Sequence, residues 1–296
     1  MQEMTFNMVE HRINSTPDNP LIIYPIGDIH RETDNCDVER WKYFLKRLRK
    51  DVDDGKNVRL IGMGDFNDFA AWGDRKKIRN ANMHESTIAE LDRAAMRHCR
   101  ELADELAFTK GLWLGLVQGN HRWDFTFESG VQGQSSDDYY AERFGCPNLG
   151  AMGYIRLGIF VRKNSRSCVR CDIVIHHGRA GGKLAGTTIN QIDDMRVVFP
   201  DADIYIMGHD HRKVAVPVTS LQAMTGRNHE MYLRQHRQWL MRSGSFLRGY
   251  VPGKSSYIVR SILRPTDLGV VKIKHGYKRH YEGGVDRVTN DIHVEY

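Results

Sequence analysis

Tyr205-Ile206-Met207-Gly208-His209-Asp210-His211 decides how the chain is read. An apolar run, Asp203 to Met207, reads as a buried strand and breaks off into Gly-His-Asp-His. In extended backbone, residues i and i+2 share a face, so His209 and His211 are expected to aim two imidazoles at one place. Ligand sites in open α/β sheets lie at the carboxyl ends of strands. The same construction recurs upstream.

Leu21 to Ile26 reads as a strand, with Pro25 near its end, and delivers Gly27-Asp28-Ile29-His30. Val58 to Ile61 runs into Gly62-Met63-Gly64-Asp65-Phe66-Asn67-Asp68. Leu112 to Val117 ends in Gln118-Gly119-Asn120-His121, and Val169 to Ile175 ends in His176-His177-Gly178. The two adjacent histidines point to opposite faces of an extended chain, so either can serve. Between these strands lie helical periodicities: Asp37 to Val52, with Trp41, Phe44, Leu45 and Leu48 on one face; His84 to Ala107; and Thr187 to Val198. Strands alternating with helices imply an α/β domain.

The 296 residues carry a formal net charge of +6, with 41% hydrophobic and 27% charged residues. That composition reads as a globular protein without a membrane segment, and the basic balance favours polyanionic partners. The N-terminus lacks the basic and apolar regions of a signal peptide. Five cysteines give no disulfide framework. Cys168-Val169-Arg170-Cys171 has no second pair with which to build a zinc site, so it reads as two reduced thiols flanking a strand. A reducing, cytoplasmic setting is expected. Residues 1–20 read as an arm and turn, and residues 124–150 as an insertion or lid with a short helix over Asp137–Phe144. Residues 213–296 form a basic C-terminal part with short β-like runs. Its segment 227–248 reads either as a nucleic-acid groove, a solvated helix or a wall over the site. No linker divides the chain, so a single domain, 1–296, is expected.

The donors at the strand ends are Asp28, His30, Asp65, Asn120, His177, His209 and His211. They are carboxylate, amide and imidazole with no thiolate, a set that suits Mn, Fe or Zn. Seven donors suffice for two ions sharing a bridging carboxylate, an arrangement suited to phosphate-ester hydrolysis.

The ordered motifs D-x-H, G-D-x-x-D, G-N-H, H-G and G-H-x-H, over roughly residues 21–212, resemble the calcineurin-like metallophosphoesterases. The resemblance implies a four-layer αββα sandwich and a binuclear centre, with Mn²⁺ the first choice of ion and Fe, Zn or Ni as alternatives. It assigns Asp28, His30, Asp65 and His211 to one ion and Asp65, Asn120, His177 and His209 to the other. It places the ligand just before glycine, which selects His177 over His176. It puts His121 near the leaving-group oxygen, with Asp68 orienting it. Two positions depart from the family pattern. Arg122 follows Gly-Asn-His, where many members have an acid. Phe69 stands where the family's protein phosphatases carry an arginine, which lowers a protein-phosphatase reading. Arg75, Lys76, Arg122 and Arg179 are candidates for the missing positive charge. The implied activity is hydrolysis of phosphate esters, tilted by the basic surface towards phosphodiesters in nucleotides or nucleic acid. A phosphomonoesterase is the alternative, and a non-catalytic nucleic-acid-binding protein with structural metals a lower one.

Overall fold

The computed structural model describes residues 5–69, 77–78, 81, 83–127, 130–160, 168–179, 184–226, 229–254, 256–282 and 285–296. It is a mixed α/β fold with two sheets. The first, seven-stranded, contains β1 (Phe6–Asn14), β5 (Met152–Phe160), β6 (Val169–His176), β7 (Ile204–Met207), β9 (Met231–Ser245) and β10 (Gly269–Val270) in that order, with β8 (Lys213–Thr225) paired to β9. The second runs β12 (Val285–Glu295), β11 (Lys272–Glu282), β2 (Leu21–Ile26), β3 (Val58–Gly62), β4 (Trp113–Leu116). The strands that feed the motif loops are parallel neighbours within each sheet: β2–β3–β4 in one, β6–β7 in the other. Their carboxyl ends therefore face the same way.

One apolar cluster draws on both sheets: Ile23 of β2, Ile61 of β3 and Leu114 of β4 meet Ile173 of β6, Ile206 of β7 and Met241 of β9. These residues alternate along their strands with others that face the opposite way, as the period of two requires. Ile22 and Leu60 turn instead to a second cluster with helices α1 (Val38–Asp53), α2 (Glu85–Glu105) and α3 (Ser136–Phe144). Val174, Tyr205 and Leu240 turn to a third cluster, against α4 (Ala185–Val198). A further short helix, α5, spans Tyr257–Arg260.

Four expectations change. Residues 6–14 are a strand rather than an arm; β1 pairs in parallel with β5 along nine positions. It lies at the sheet edge with most side chains in solvent, which is why its sequence lacks an apolar signature. The helix within 124–150 is not a lid: Tyr140 and Phe144 are fully buried, and Phe144 stacks on Trp113 with ring centroids 4.3 Å apart. Residues 231–245 are a strand, not a solvated helix, and pair with β8 along thirteen positions. The tail is more regular than short runs, since β11 and β12 form an eleven-pair hairpin that extends the second sheet beside β2.

Candidate metal centre

The motif loops adopt backbone that few side chains tolerate. Asp28 (φ 48°), His30 (48°), Asp65 (47°), His209 (70°) and His211 (61°) all lie in the left-handed region. Asp and His are among the residues that enter it most readily, and each such residue costs on the order of 1–3 kcal/mol. Strain of this kind clusters where a site demands a particular aim. It also corrects the expectation about His209 and His211. They do not share a face of extended backbone, and their imidazoles go to two places.

Asp28, His30 and His211 bring one ligand atom each within 4.8 Å of one another, and Asp65, His177 and His209 form a second such group. A third, His30, Asp68 and His121, adjoins the first. The His30 and His211 rings lie 5.1 Å apart, and His177 and His209 5.2 Å apart. Backbone bonds lock the loops together: Asp28 N–H donates to Gly64 O (2.9 Å) and Ile29 N–H to Asp65 O (2.9 Å). His209 N–H donates to Asp28 Oδ2 at 2.9 Å. A tight backbone crossing sets the middle of the site. A Cβ on Gly119 would stand 2.2 Å from Asp65 N and Oδ1, so only glycine allows the Gly119 loop so close to Asp65.

His177 Nδ1–H donates to Met63 O at 2.7 Å. A carbonyl only accepts, so this bond fixes the ring and turns Nε2 inward. There Nε2 meets Asn120 Oδ1 at 2.8 Å and Asp65 Oδ2 at 3.1 Å. Three electron-rich atoms thus converge on one point, which calls for a cation. His176 lies outside the groups and its Nδ1 accepts Gly178 N–H at 2.7 Å. Asp65 belongs to the second group; its Oδ1 accepts His121 N–H at 2.8 Å. Asp68 stands between two imidazoles, in contact with His121 Nδ1 and 3.6 Å from His30 Nδ1.

The electrostatics are those of a site shaped for positive charge. Burial pushes the Asp28 carboxyl up to about 6, against the pull of His177. Burial also acts to raise Asp65, but the charge of His177 outweighs it and holds Asp65 well below the usual carboxylate range. The His177 imidazole is carried the other way: burial opposes its charge, yet Asp65 beside it lifts it to about 10. Burial, with His177 nearby, drops His209 to about 4, and burial takes His211 well below its ordinary value. Asp28 Oδ1, His30 Nδ1 and Nε2, and His209 Nδ1 are buried with no hydrogen-bond partner among the described residues. Orphaned buried donors and acceptors are costly and need a reason. Divalent ions supply one, and the N/O donor set fits them.

Three residues of the setting carry no sequence signal. Asp137, buried at the start of α3, accepts Gly119 N–H at 3.1 Å, and burial raises its carboxyl to about 7; in sequence it reads as an ordinary helix-start acid. Glu32 accepts Asp68 N–H at 2.5 Å and Asn67 Nδ2–H at 2.8 Å, so it frames the Asp68 loop. Arg242 of β9 donates from Nη1 to Gly208 O at 2.7 Å. Of the cations proposed to grip phosphate, Arg122 is buried against Gln118 Oε1 (2.5 Å) and Asp124, and Arg179 pairs with Asp194 at 2.6 Å. Arg75 and Lys76 lie outside the described residues. A cavity of about 510 Å³ opens beside the site, lined by Glu32 and Asn67 together with Arg31, Val38, Arg248 and Lys254.

No family model matches the chain, and no curated protein matches it. Among solved structures, it is similar to Chaetomium thermophilum Vps29, with a TM-score of 0.34 and 13% identity, covering 93% of this chain and 97% of that one. Similarity at this level does not establish a shared fold, so the site rests on its own geometry. Among the described residues, no helix is long and apolar enough to cross a membrane.

Proposed function

We propose that the chain is a two-metal-dependent phosphoesterase of the calcineurin-like type, a single domain built as a four-layer αββα sandwich. The observation that carries this reading is the pair of ligand groups, Asp28–His30–His211 and Asp65–His177–His209, with the Asp68–His121 pair at their edge. Asp28, His30 and His211 would hold one ion and His177, His209 and Asn120 the other, with Asp65 shared. Bound there, divalent ions (Mn²⁺ first, then Fe, Zn or Ni) would supply Lewis acidity at the phosphoryl group and an attacking water of lowered pKa.

The chain's own residues do the rest. His177 is aimed by Met63 O, so that ligand is set before any ion arrives. Asp68 engages Nδ1 of His121, which leaves Nε2 to hand a proton to the departing alkoxide. The His121 side chain is 24% exposed, enough to meet a substrate. The substrate class we favour is phosphodiesters in nucleotides or nucleic acid, because the chain carries a formal net charge of +6, a balance that favours polyanionic partners. The five free cysteines fit a reducing, cytoplasmic setting.

The test is hydrolysis of bis(p-nitrophenyl) phosphate and p-nitrophenyl phosphate with Mn²⁺ added, against Asp65→Asn. Diester cleavage lost in the variant supports the reading; preference for the monoester makes the chain a phosphomonoesterase. A metal-loaded protein inert on both would be a non-catalytic binding protein.

A further inference from the structure

We propose that the solvent face of α1 is a docking track for single-stranded nucleic acid. Six of its sixteen residues are basic (Arg40, Lys42, Lys46, Arg47, Arg49, Lys50) and three are acidic (Glu39, Asp51, Asp53). One helix thus carries a net +3, half of the chain's formal +6.

The charges are ordered. Lys42, Lys46, Arg47 and Lys50 follow one another at i, i+4, i+5 and i+8, which puts them on one stripe of an α-helix. All four are exposed. Tyr43 lies within the stripe with 61% of its surface in solvent, and the Arg47 guanidinium lies 5.9 Å from its ring centroid. Lys46 and Arg47 make no ion pair among the described residues. Lys42 reaches Glu39 only at 3.9 Å, and the Lys50–Asp54 pair, at 2.9 Å, is on the surface. Such exposed pairs hold little energy against a competing phosphate. An exposed ring flanked by cations is the combination that binds single strands, with bases stacked on the ring and phosphates on the charges. From Lys42 to Lys50 the helix rises about 12 Å, so the four cations are spread along a track and not gathered at one point.

The helix is held firmly. Trp41 and Leu48 are buried on its other side, so the basic face cannot roll inward. Its amino end, Asp37 to Glu39, joins Glu32, Asp34 and Glu101 in the wall of a cavity, so phosphate contacts belong to the basic stripe from Lys42 to Lys50 and not to that end. A membrane surface fits poorly, because insertion needs an apolar face and that of α1 is spent on the core.

The inference rests on the phosphoesterase reading only for what the track delivers; binding itself is testable separately. Fluorescence anisotropy of the full chain, loaded with Mn²⁺, on a labelled phosphorothioate thymidine 20-mer between 50 and 200 mM NaCl is the measurement. The triple variant Lys42→Glu, Lys46→Glu, Arg47→Glu is expected to weaken binding at least tenfold and to flatten the log–log salt slope by about 2, at about 0.7 per lost phosphate contact. Tyr43→Ala is expected to weaken binding at least fivefold and leave the slope unchanged. The charge-matched control Lys110→Glu, Arg170→Glu, Arg264→Glu should bind within twofold of wild type. Equal losses in both triples would reduce the effect to net charge and overturn the track, as would wild-type binding in the α1 triple. Binding to phosphatidylserine vesicles that the α1 triple alone abolishes, with no 20-mer binding, would overturn it in favour of a membrane. Wild-type 20-mer binding that the α1 triple weakens, in a protein that never cleaves bis(p-nitrophenyl) phosphate, would leave the track standing and sink the enzymatic reading.

Discussion

Arg242 reaches from β9 beneath the loop that carries His209 and His211 and sets its Nε 3.7 Å from Asp210 Oδ2. It is fully buried. Its other nitrogens donate to Gly208 O (2.7 Å), Thr188 O (3.1 Å) and Gln191 Oε1 (2.7 Å). Asp210 in turn accepts Thr188 Oγ1–H at 2.7 Å. One guanidinium therefore ties the His209–His211 loop to α4, which explains how two consecutive ligands persist in left-handed backbone. Removing one partner of a buried pair costs about 3–5 kcal/mol. Arg242→Met should lower the free energy of unfolding by that amount and weaken metal uptake. Arg242→Lys, which keeps the charge but not the fork, should fall between. Urea unfolding and metal titration calorimetry check both; a Met variant as stable as wild type would remove the latch from the account.

The His177–Asp65 pair makes the metal-free protein sensitive to alkali. His177 is raised from 6.5 to about 10 in the folded chain. A group raised on folding stabilises fully below its unfolded value and loses that contribution as pH climbs through its folded one. Stability of the chelated protein should therefore decline between pH 7 and pH 10. Asp137, raised from 3.8 to about 7, gives a separate decline below that window, as pH climbs towards 7. Ligation needs neutral His177, so metal uptake at pH 7 should release a proton, and the metal-loaded protein should show a flatter profile. Thermal unfolding across that range, with and without EDTA, checks this, and His177→Gln should remove most of the slope.

Much of the site was legible because its donors sit at the ends of strands whose apolar runs are unmistakable. Leu21–Ile26 is buried on both faces, and Val58–Gly62 at every position but Arg59, so their apolar runs are nearly continuous and their ends sharp. What could not be read follows from exposure. β1 shows solvent most of its side chains, and the outer half of β9 alternates exposed Met231 and Leu233 with half-buried Tyr232 and Arg234. Neither run has an apolar face long enough to announce a strand. The sorting of His209 and His211 into separate groups depends on φ angles of 70° and 61°, which two histidines spaced by one residue do not reveal. Arg242 lay hidden in a segment already rich in arginine, where nothing marks the one that is buried.

Gly119 and Gly55 separate steric need from backbone need. Both are glycines, but an added Cβ at Gly55 meets nothing within 4 Å, whereas at Gly119 it strikes Asp65. Gly55→Ala should cost only the left-handed conformation, about 1–2 kcal/mol, and leave metal binding intact. Gly119→Ala should force the Asp65 loop away, with an overpacking cost of about 1–3 kcal/mol and loss of bound metal. Elemental analysis of the two purified variants distinguishes them; equal metal content would show that the Gly119–Asp65 crossing does not shape the centre.

His121 should matter in proportion to how badly the leaving group needs a proton. It is held by Asp68 and also lies edge-on to His30, with ring centroids 5.2 Å apart. The two groups proposed to hold the ions are built from other side chains, so His121→Gln should retain its metal uptake and its KM. A positioned general acid contributes about 10²–10⁴-fold. That factor should be lost from kcat on a dialkyl or dinucleotide ester, whose alkoxide departs only with a proton. On bis(p-nitrophenyl) phosphate, whose phenolate leaves unaided, the loss should be small. Asp68→Asn should reproduce the same selectivity more weakly, because the ring remains but its orientation is loosened. A His121→Gln variant equally slow on both esters, with full metal content, would exclude proton donation and leave His121 a role in stabilising charge on the phosphoryl group.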